Sequence, residues 1–312
     1  MPATYTHYTF SKDVYKVIKP LVQEKIDFNI FSLFNQSFDL LYFSKYKLGN
    51  YAHQHFVNLY FQNIIYFIRD KHLENNKEVL SYLYGSICHY ILDSTIHPYV
   101  YYYTGVYKDK STKKYRGKHA YFEFMLDAII YQERNHKNIA RANIRKEIFQ
   151  KYNFNKELND IIDYTFVNTF QFKNAHSYIK RGIKNYSFVL RHGLMSRLGI
   201  KYYLYRLLDF RPFKRMVLHY NCYYIRKLDY RVLNKEHNKW YYPVDKKIHF
   251  HYSFYDLYDV AIEKARTLIE HIDSAIDKDE KDIKRVLREI GNLGYDTGKN
   301  VNKSYVMKYF KY

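Results

Sequence analysis

The sequence predicts an all-α fold, and three observations carry that prediction. Glycine and proline are scarce, at 10 and 5 among 312 residues. Short strands need frequent turn residues, so sparse punctuation points to long helices. Apolar side chains recur at helical spacing in several segments. No repeat, low-complexity linker or clear boundary divides the chain. The expectation is therefore a single multi-helix domain over 1–312, with a histidine- and carboxylate-bearing half, about 1–135, and a basic helical half, about 136–312. The length allows an ample core, and 47% apolar residues exclude a disordered chain.

The elements follow in order. "HQHFVNLYFQNIIYFIRDKH" (53–72) aligns His53, Val57, Tyr60, Ile64 and Phe67 on one helical stripe. "EVLSYLYGSICHYILDSTIH" (78–97) reads as a second helix, stopped by Pro98 because the residue before proline is driven out of the α region. "KDKSTKKYRGK" (108–118), with six basic residues and one acid, reads as a solvated loop. "KHAYFEFMLDAIIYQER" (118–134) is a third helix. Segments 156–170 and 186–208 read as helical too. "YDLYDVAIEKARTLIEHIDSAI" (255–276) places Leu257, Val260, Ala261, Ala265, Leu268 and Ile272 on one face, and the last 60 residues read as helix and basic tail.

Charge narrows the partners. Lys and Arg total 51 against 31 Asp and Glu, a net +20. That favours an anionic partner, a phospholipid surface or a nucleic acid. Residues 177–231 hold thirteen basic and two acidic residues among Tyr and Phe. The plainer reading of that segment is a solvated face over an aromatic core. Cys88 and Cys222 form no disulfide framework and no zinc-finger spacing. The start "MPATYTHYTFSKD" lacks a signal peptide's apolar stretch. No apolar run approaches the about 20 residues of a membrane span. The expected location is cytoplasmic, with room for peripheral membrane contact.

The chemistry gathers in "HYILDSTIHPYVYY", where His89, Asp93 and His97 are spaced four apart. Residues i and i+4 share a helical face, so one ion or two adjacent ions can be gripped there. Gly85 and Ser86, one turn earlier, are read as leaving room beside His89. "KHAYFEF" repeats the device with His119 and Glu123, and Asp127 is read as an acceptor that orients a ligand. A single His-x3-carboxylate pair is ordinarily a surface or capping contact. Two pairs plus His97 within 35 residues, among apolar neighbours, point to a multinuclear site between facing helices. A buried carboxylate needs a partner, which a metal supplies. Imidazole with carboxylate suits zinc best, then iron or manganese.

"MPATYTHYTF", "SFDLLYF" (37–43), "GNYAHQHFVNLYF" (49–61), "GSICHYILDSTIHPYV" (85–100) and "GKHAYFEFMLD" (117–127) follow in order, with a weaker echo in "NKWYYP" (238–243). Together they resemble the bacterial zinc-dependent phospholipase C family, particularly its non-secreted members. The resemblance implies an all-α fold, shared with the single-strand-specific zinc nucleases, and a cluster of about three zinc ions that polarise a phosphodiester and activate water. It implies His53, His89 and Asp93 for one zinc, and His97, His119 and Glu123 for a second. His7 would serve a third, with Asp93 bridging, and Asp39 would be the general base or a further metal contact. For the first site the apolar stripe also favours His53 over His55. Secreted relatives begin with a tryptophan that ligates the third zinc. Here the chain begins Met1-Pro2, so two zincs are expected and the third stays open.

Three functions compete at this stage. The leading one is phospholipase C-type cleavage of a phospholipid to diacylglycerol and a phosphorylated head group. A single-strand nuclease or other phosphodiesterase on the same site is the second, the basic aromatic segment tracking the strand. A non-catalytic protein stapled by zinc is the third, and the carboxylate-rich ligand set argues against it because structural zinc prefers cysteine.

Overall fold

The computed structural model describes residues 4–22, 24–108, 110–149, 153–209, 219, 222–224 and 227–311. It is built from helices: α1 (Thr4–Val22), α2 (Phe28–Phe34), α3 (Tyr46–Ala52), α4 (Val57–Asp70), α5 (Lys77–Thr104), α6 (Lys118–Asn135), α7 (Ile144–Glu147), α8 (Lys156–Phe170), α9 (Ala175–Val189), α10 (Ile200–Asp209), α11 (Phe254–Ala275) and α12 (Glu280–Ile290). A 3-10 helix, Ser37–Phe43, joins α2 to α3. The all-α class expected from the sequence holds.

Local chemistry sets several starts. Asp27 accepts from the Asn29 and Ile30 amides, Asn76 from Val79 and Asn155 from Leu158, satisfying amides that have no intrahelical partner. Ser253 and Asp256 form a reciprocal capping box at α11. At the centre is α5, buried on nearly every face, as a helix apolar all round should be. Helices α1, α2, α4, α6, α8 and α11 pack on it. Gly85 is where α2 presses closest: a Cβ there would lie 2.5 Å from the Phe31 carbonyl oxygen. Its small size serves this helix contact, not space beside His89.

Four expectations are corrected. α5 runs through Pro98 to Thr104 and ends at Gly105. Proline removes one donor and leaves the Ser94 carbonyl without its intrahelical amide. Gly298 packs against that carbonyl, near enough that a Cβ would sit 2.5 Å from it. The 53–72 stripe is not one helix either. His53 caps the C-terminus of α3, and Phe56, with φ 57°, turns the chain before α4 starts at Val57. The 186–208 stretch breaks at a π-type turn, Leu190–Leu194, and an extended Met195. Last, a small antiparallel hairpin interrupts the helices: β1 (Trp240–Tyr242) pairs with β2 (Asp245–Phe250). Its Trp, Tyr, Ile and Phe suit a pleated surface. Trp240 packs edge-on against Tyr99 of α5, ring centres 5.4 Å apart. Part of the basic 177–231 segment lies outside the described residues, as do Met1 and Pro2.

Candidate metal centre

Five imidazoles (His7, His53, His89, His97, His119) and three carboxylates (Asp39, Asp93, Glu123) converge inside the helices. α1 brings His7, the 3-10 helix Asp39, the end of α3 His53, α5 the His89–Asp93–His97 row, and α6 His119 and Glu123. His7, Asp39, His53, His89, Asp93 and Glu123 are all buried.

Among the described residues, two sets are close enough to hold an ion. His7, Asp39, His89 and Asp93 each offer an atom within 4.8 Å of the others, and so do His97, His119 and Glu123. The second set is the one the resemblance implied. In the first, His7 and Asp39 stand with His89 and Asp93, where His53 was expected beside them. His53 adjoins that set, with Nε2 3.2 Å from Asp39 Oδ1 and 3.4 Å from His89 Nε2. Asp93 lies between the sets, Oδ1 3.2 Å from His7 Nε2 and Oδ2 3.9 Å from His97 Nδ1. His55 is exposed and stacks on Tyr51, ring centres 4.2 Å apart.

Backbone carbonyls fix three of the rings. His53 Nδ1 is 2.7 Å from the Gly49 oxygen, His89 Nδ1 3.2 Å from the Asn35 oxygen, and His97 Nδ1 3.1 Å from the Tyr295 oxygen. A carbonyl only accepts, so each Nδ1 carries a proton and each Nε2 turns inward, where a second proton or a cation can occupy it. Those Nε2 atoms face acceptors: His53 faces Asp39, His89 faces Asp93 Oδ2 at 3.5 Å, and His97 faces Glu123 Oε1 at 3.4 Å. The His53 and His89 Nε2 atoms also face each other. Among the described residues, the buried Asp39 Oδ2, Asp93 Oδ2 and Glu123 Oε2 have no hydrogen-bond partner. Nε2 atoms and carboxylates that face each other in a dry interior need a positive charge between them. Protons supply it in part, as at His97; a metal cation supplies it for the whole set, and imidazole with carboxylate fits zinc.

The electrostatics agree. Burial opposes ionisation of Asp93, yet His97, His89 and His7 hold it well below the usual carboxylate range. Glu123 is held down against burial by His119 and His97. Burial would lower the His97 imidazole, but Asp93, Glu123 and Asp296 push it up to about 10. Burial takes His89 down to about 4, against the pull of Asp93 and Asp39.

Asp127 does not hold an imidazole. Its Oδ1 accepts from the Thr6 amide at 2.7 Å and hydroxyl at 2.7 Å. Oδ2 accepts from the Tyr5 amide at 3.0 Å and the Tyr223 hydroxyl at 2.6 Å. The helix start with its free amides lies nearer than any ring, so Asp127 anchors α1 and thereby places His7. Burial raises its carboxyl to about 6 despite these bonds.

Sequence reasoning missed the loop after α12. Tyr295 is fully buried and its amide donates to the His53 carbonyl at 3.0 Å. Asp296 Oδ1 lies 3.8 Å from His97 Nδ1 and accepts from the Tyr101 hydroxyl at 3.1 Å. Its Oδ2 accepts from Gln54 at 2.9 Å. The one signal was composition: 291–298 holds three of the chain's ten glycines. Tyr42, stacked on His53 at 5.3 Å, was missed too.

A helical domain that draws imidazoles and carboxylates from five segments into one buried cluster defines the class: an all-α protein with a candidate multinuclear metal centre. The family described as zinc dependent phospholipase C matches residues 6–186, more than half of the chain, and the chain belongs to that family. All eight converging residues lie within the matched span, whereas Tyr295 and Asp296 lie beyond it. Neither the curated proteins nor the solved structures compared with the chain match it.

Proposed function

We propose that the chain is a zinc-dependent phosphodiester hydrolase that cleaves a phospholipid in the phospholipase C manner, to diacylglycerol and a phosphorylated head group. The observation that carries this reading is the buried cluster of inward-facing Nε2 atoms and of carboxylate oxygens without a hydrogen-bond partner among the described residues, in a member of this family. His7, Asp39, His89 and Asp93, with His53 alongside, would hold one ion, and His97, His119 and Glu123 a second. A third ion is left open. When bound, zinc supplies Lewis-acid polarisation of a phosphoryl oxygen and lowers the pKa of water to about 7.

The chain's own residues do the rest. The Gly49, Asn35 and Tyr295 carbonyls hold the ring tautomers, so donor atoms need no rearrangement when substrate arrives. Asp39, beyond its place among the donors, is the carboxylate set to take a proton from the attacking water. The packed aromatics around His53 and His89 exclude bulk water, which strengthens every charge interaction inside.

The test is hydrolysis of phosphatidylcholine by zinc-loaded protein, read as released diacylglycerol, with single-stranded DNA as a parallel substrate. We expect lipid cleavage that disappears in His89→Ala and Asp93→Ala together with bound zinc. Wild-type turnover in either variant sinks the assignment. Cleavage of the DNA alone replaces it with the nuclease reading.

A further inference from the structure

Among the described residues, the amphipathic helix α10 has no core to face. None of its residues is buried. Its apolar side chains nevertheless fall at i, i+3, i+4, i+7 and i+8, as Ile200, Tyr203, Leu204, Leu207 and Leu208. That spacing normally packs a helix onto a protein interior. Here Ile200 is 69% exposed, Leu207 68%, and Leu198 in the preceding turn 80%. A contiguous aliphatic stripe in water marks an interaction surface.

Charge says what covers it. Residues 175–209 contain seven lysines and arginines against one acid, Asp209 at the end of α10. We propose that α10 and the turn before it dock the protein on an anionic phospholipid bilayer, leucines at the acyl boundary and arginines among the lipid phosphates. A second copy of the chain fits poorly, because two chains of net charge +20 repel each other. A single-stranded nucleic acid calls for planar groups on which bases stack, and this stripe is mostly aliphatic. No helix among the described residues is long and apolar enough to cross a membrane, so contact through α10 would be interfacial. The inference goes beyond the proposed activity, since docking and hydrolysis are separable.

The experiment is co-sedimentation of the full metal-loaded chain with vesicles of phosphatidylcholine alone, or mixed equally with phosphatidylglycerol, at low and high salt. We expect binding to the anionic vesicles that weakens with salt. Leu204→Ser with Leu207→Ser should lower the partition coefficient by about tenfold per leucine, with helicity by circular dichroism unchanged. A second variant, Arg197→Gln with Arg206→Gln, should lower it too and flatten the salt dependence. Absent binding to anionic vesicles at low salt overturns the inference. So does undiminished binding by both variants, or a wild-type dimer that the leucine substitutions dissolve with no vesicle binding. Binding without lipid hydrolysis would remove the phospholipase reading and keep this one; turnover of a soluble phosphodiester without binding would do the reverse.

Discussion

Replacing Gly298 by alanine should weaken one half of the candidate metal centre and spare the other. Gly298 sits at φ 59°, and a Cβ there would lie 2.5 Å from the Ser94 oxygen. A carbon–oxygen contact ordinarily stands at about 3.3 Å or more, so the loop must withdraw by about 0.8 Å. The left-handed backbone adds about 1–2 kcal/mol of strain that also favours withdrawal. The Tyr295 carbonyl, 3.1 Å from His97 Nδ1, would move to about 3.9 Å, beyond hydrogen-bonding range. His97 would then lose the acceptor that fixes its tautomer. Loss of such an outer partner lowers metal affinity by about 10–100-fold. His53 and His89 keep their acceptors, Gly49 and Asn35, which lie outside the loop. The assay is zinc titration against a chromophoric chelator, which resolves two affinity steps. We expect the weaker binding at the His97–His119–Glu123 set alone. Two unchanged affinities, or an equal loss at both steps, would refute the tautomer argument.

Other outcomes follow from the same geometry. Asp127→Asn should cost about 1–3 kcal/mol for each donor left facing its new amide, read as a lower denaturation midpoint and weaker zinc retention through displaced His7. The Asp127 carboxyl is raised to about 6 by burial, so the folded state holds its proton longer than the unfolded one and this group's stabilisation is lost as pH rises. The stability gap between wild type and Asp127→Asn should shrink by about 3 kcal/mol from pH about 4 to about 6; a constant gap in urea melts contradicts this. His97, pushed up to about 10 without metal, should release a proton when zinc binds at pH 7. Calorimetry in buffers of different ionisation enthalpy measures it, and a buffer-independent heat rules it out. Gly85→Ala should cost about 1–3 kcal/mol by forcing α2 off α5, visible as a lower melting temperature without loss of zinc stoichiometry in the folded protein.

Much of the fold was legible because apolar spacing over ten or more residues reflects burial directly. The helices read at 118–134, 156–170 and 255–276 match α6, α8 and α11 to within a few residues. Single residues misled. Pro98 looked like a stop, yet α5 runs on to Thr104, and Gly298 from far along the chain packs close against the Ser94 carbonyl. His53 seemed to ride on the helix of Val57, yet the left-handed Phe56 separates them. His53 points inward for another reason: it ends α3, and the Gly49 carbonyl one turn back holds its ring. The candidate ligands were visible because imidazole and carboxylate side chains are written in the sequence. The carbonyls that orient them were not, since every residue has one and only folding decides which meets a histidine. Asp127 illustrates the same limit: its spacing from Glu123 was readable, and its partners at the start of α1 were not.

Asp127 anchors the beginning of α1, and Tyr295 brings its carbonyl to His97 from far along the chain. The donor side chains are all translated by residue 123, but the ring of His97 is set only once residues 295–298 have left the ribosome and folded back. Long-range closure of this kind is slow and comes late. A chain that stops short of this loop therefore carries the ligand side chains without the carbonyl that orients His97.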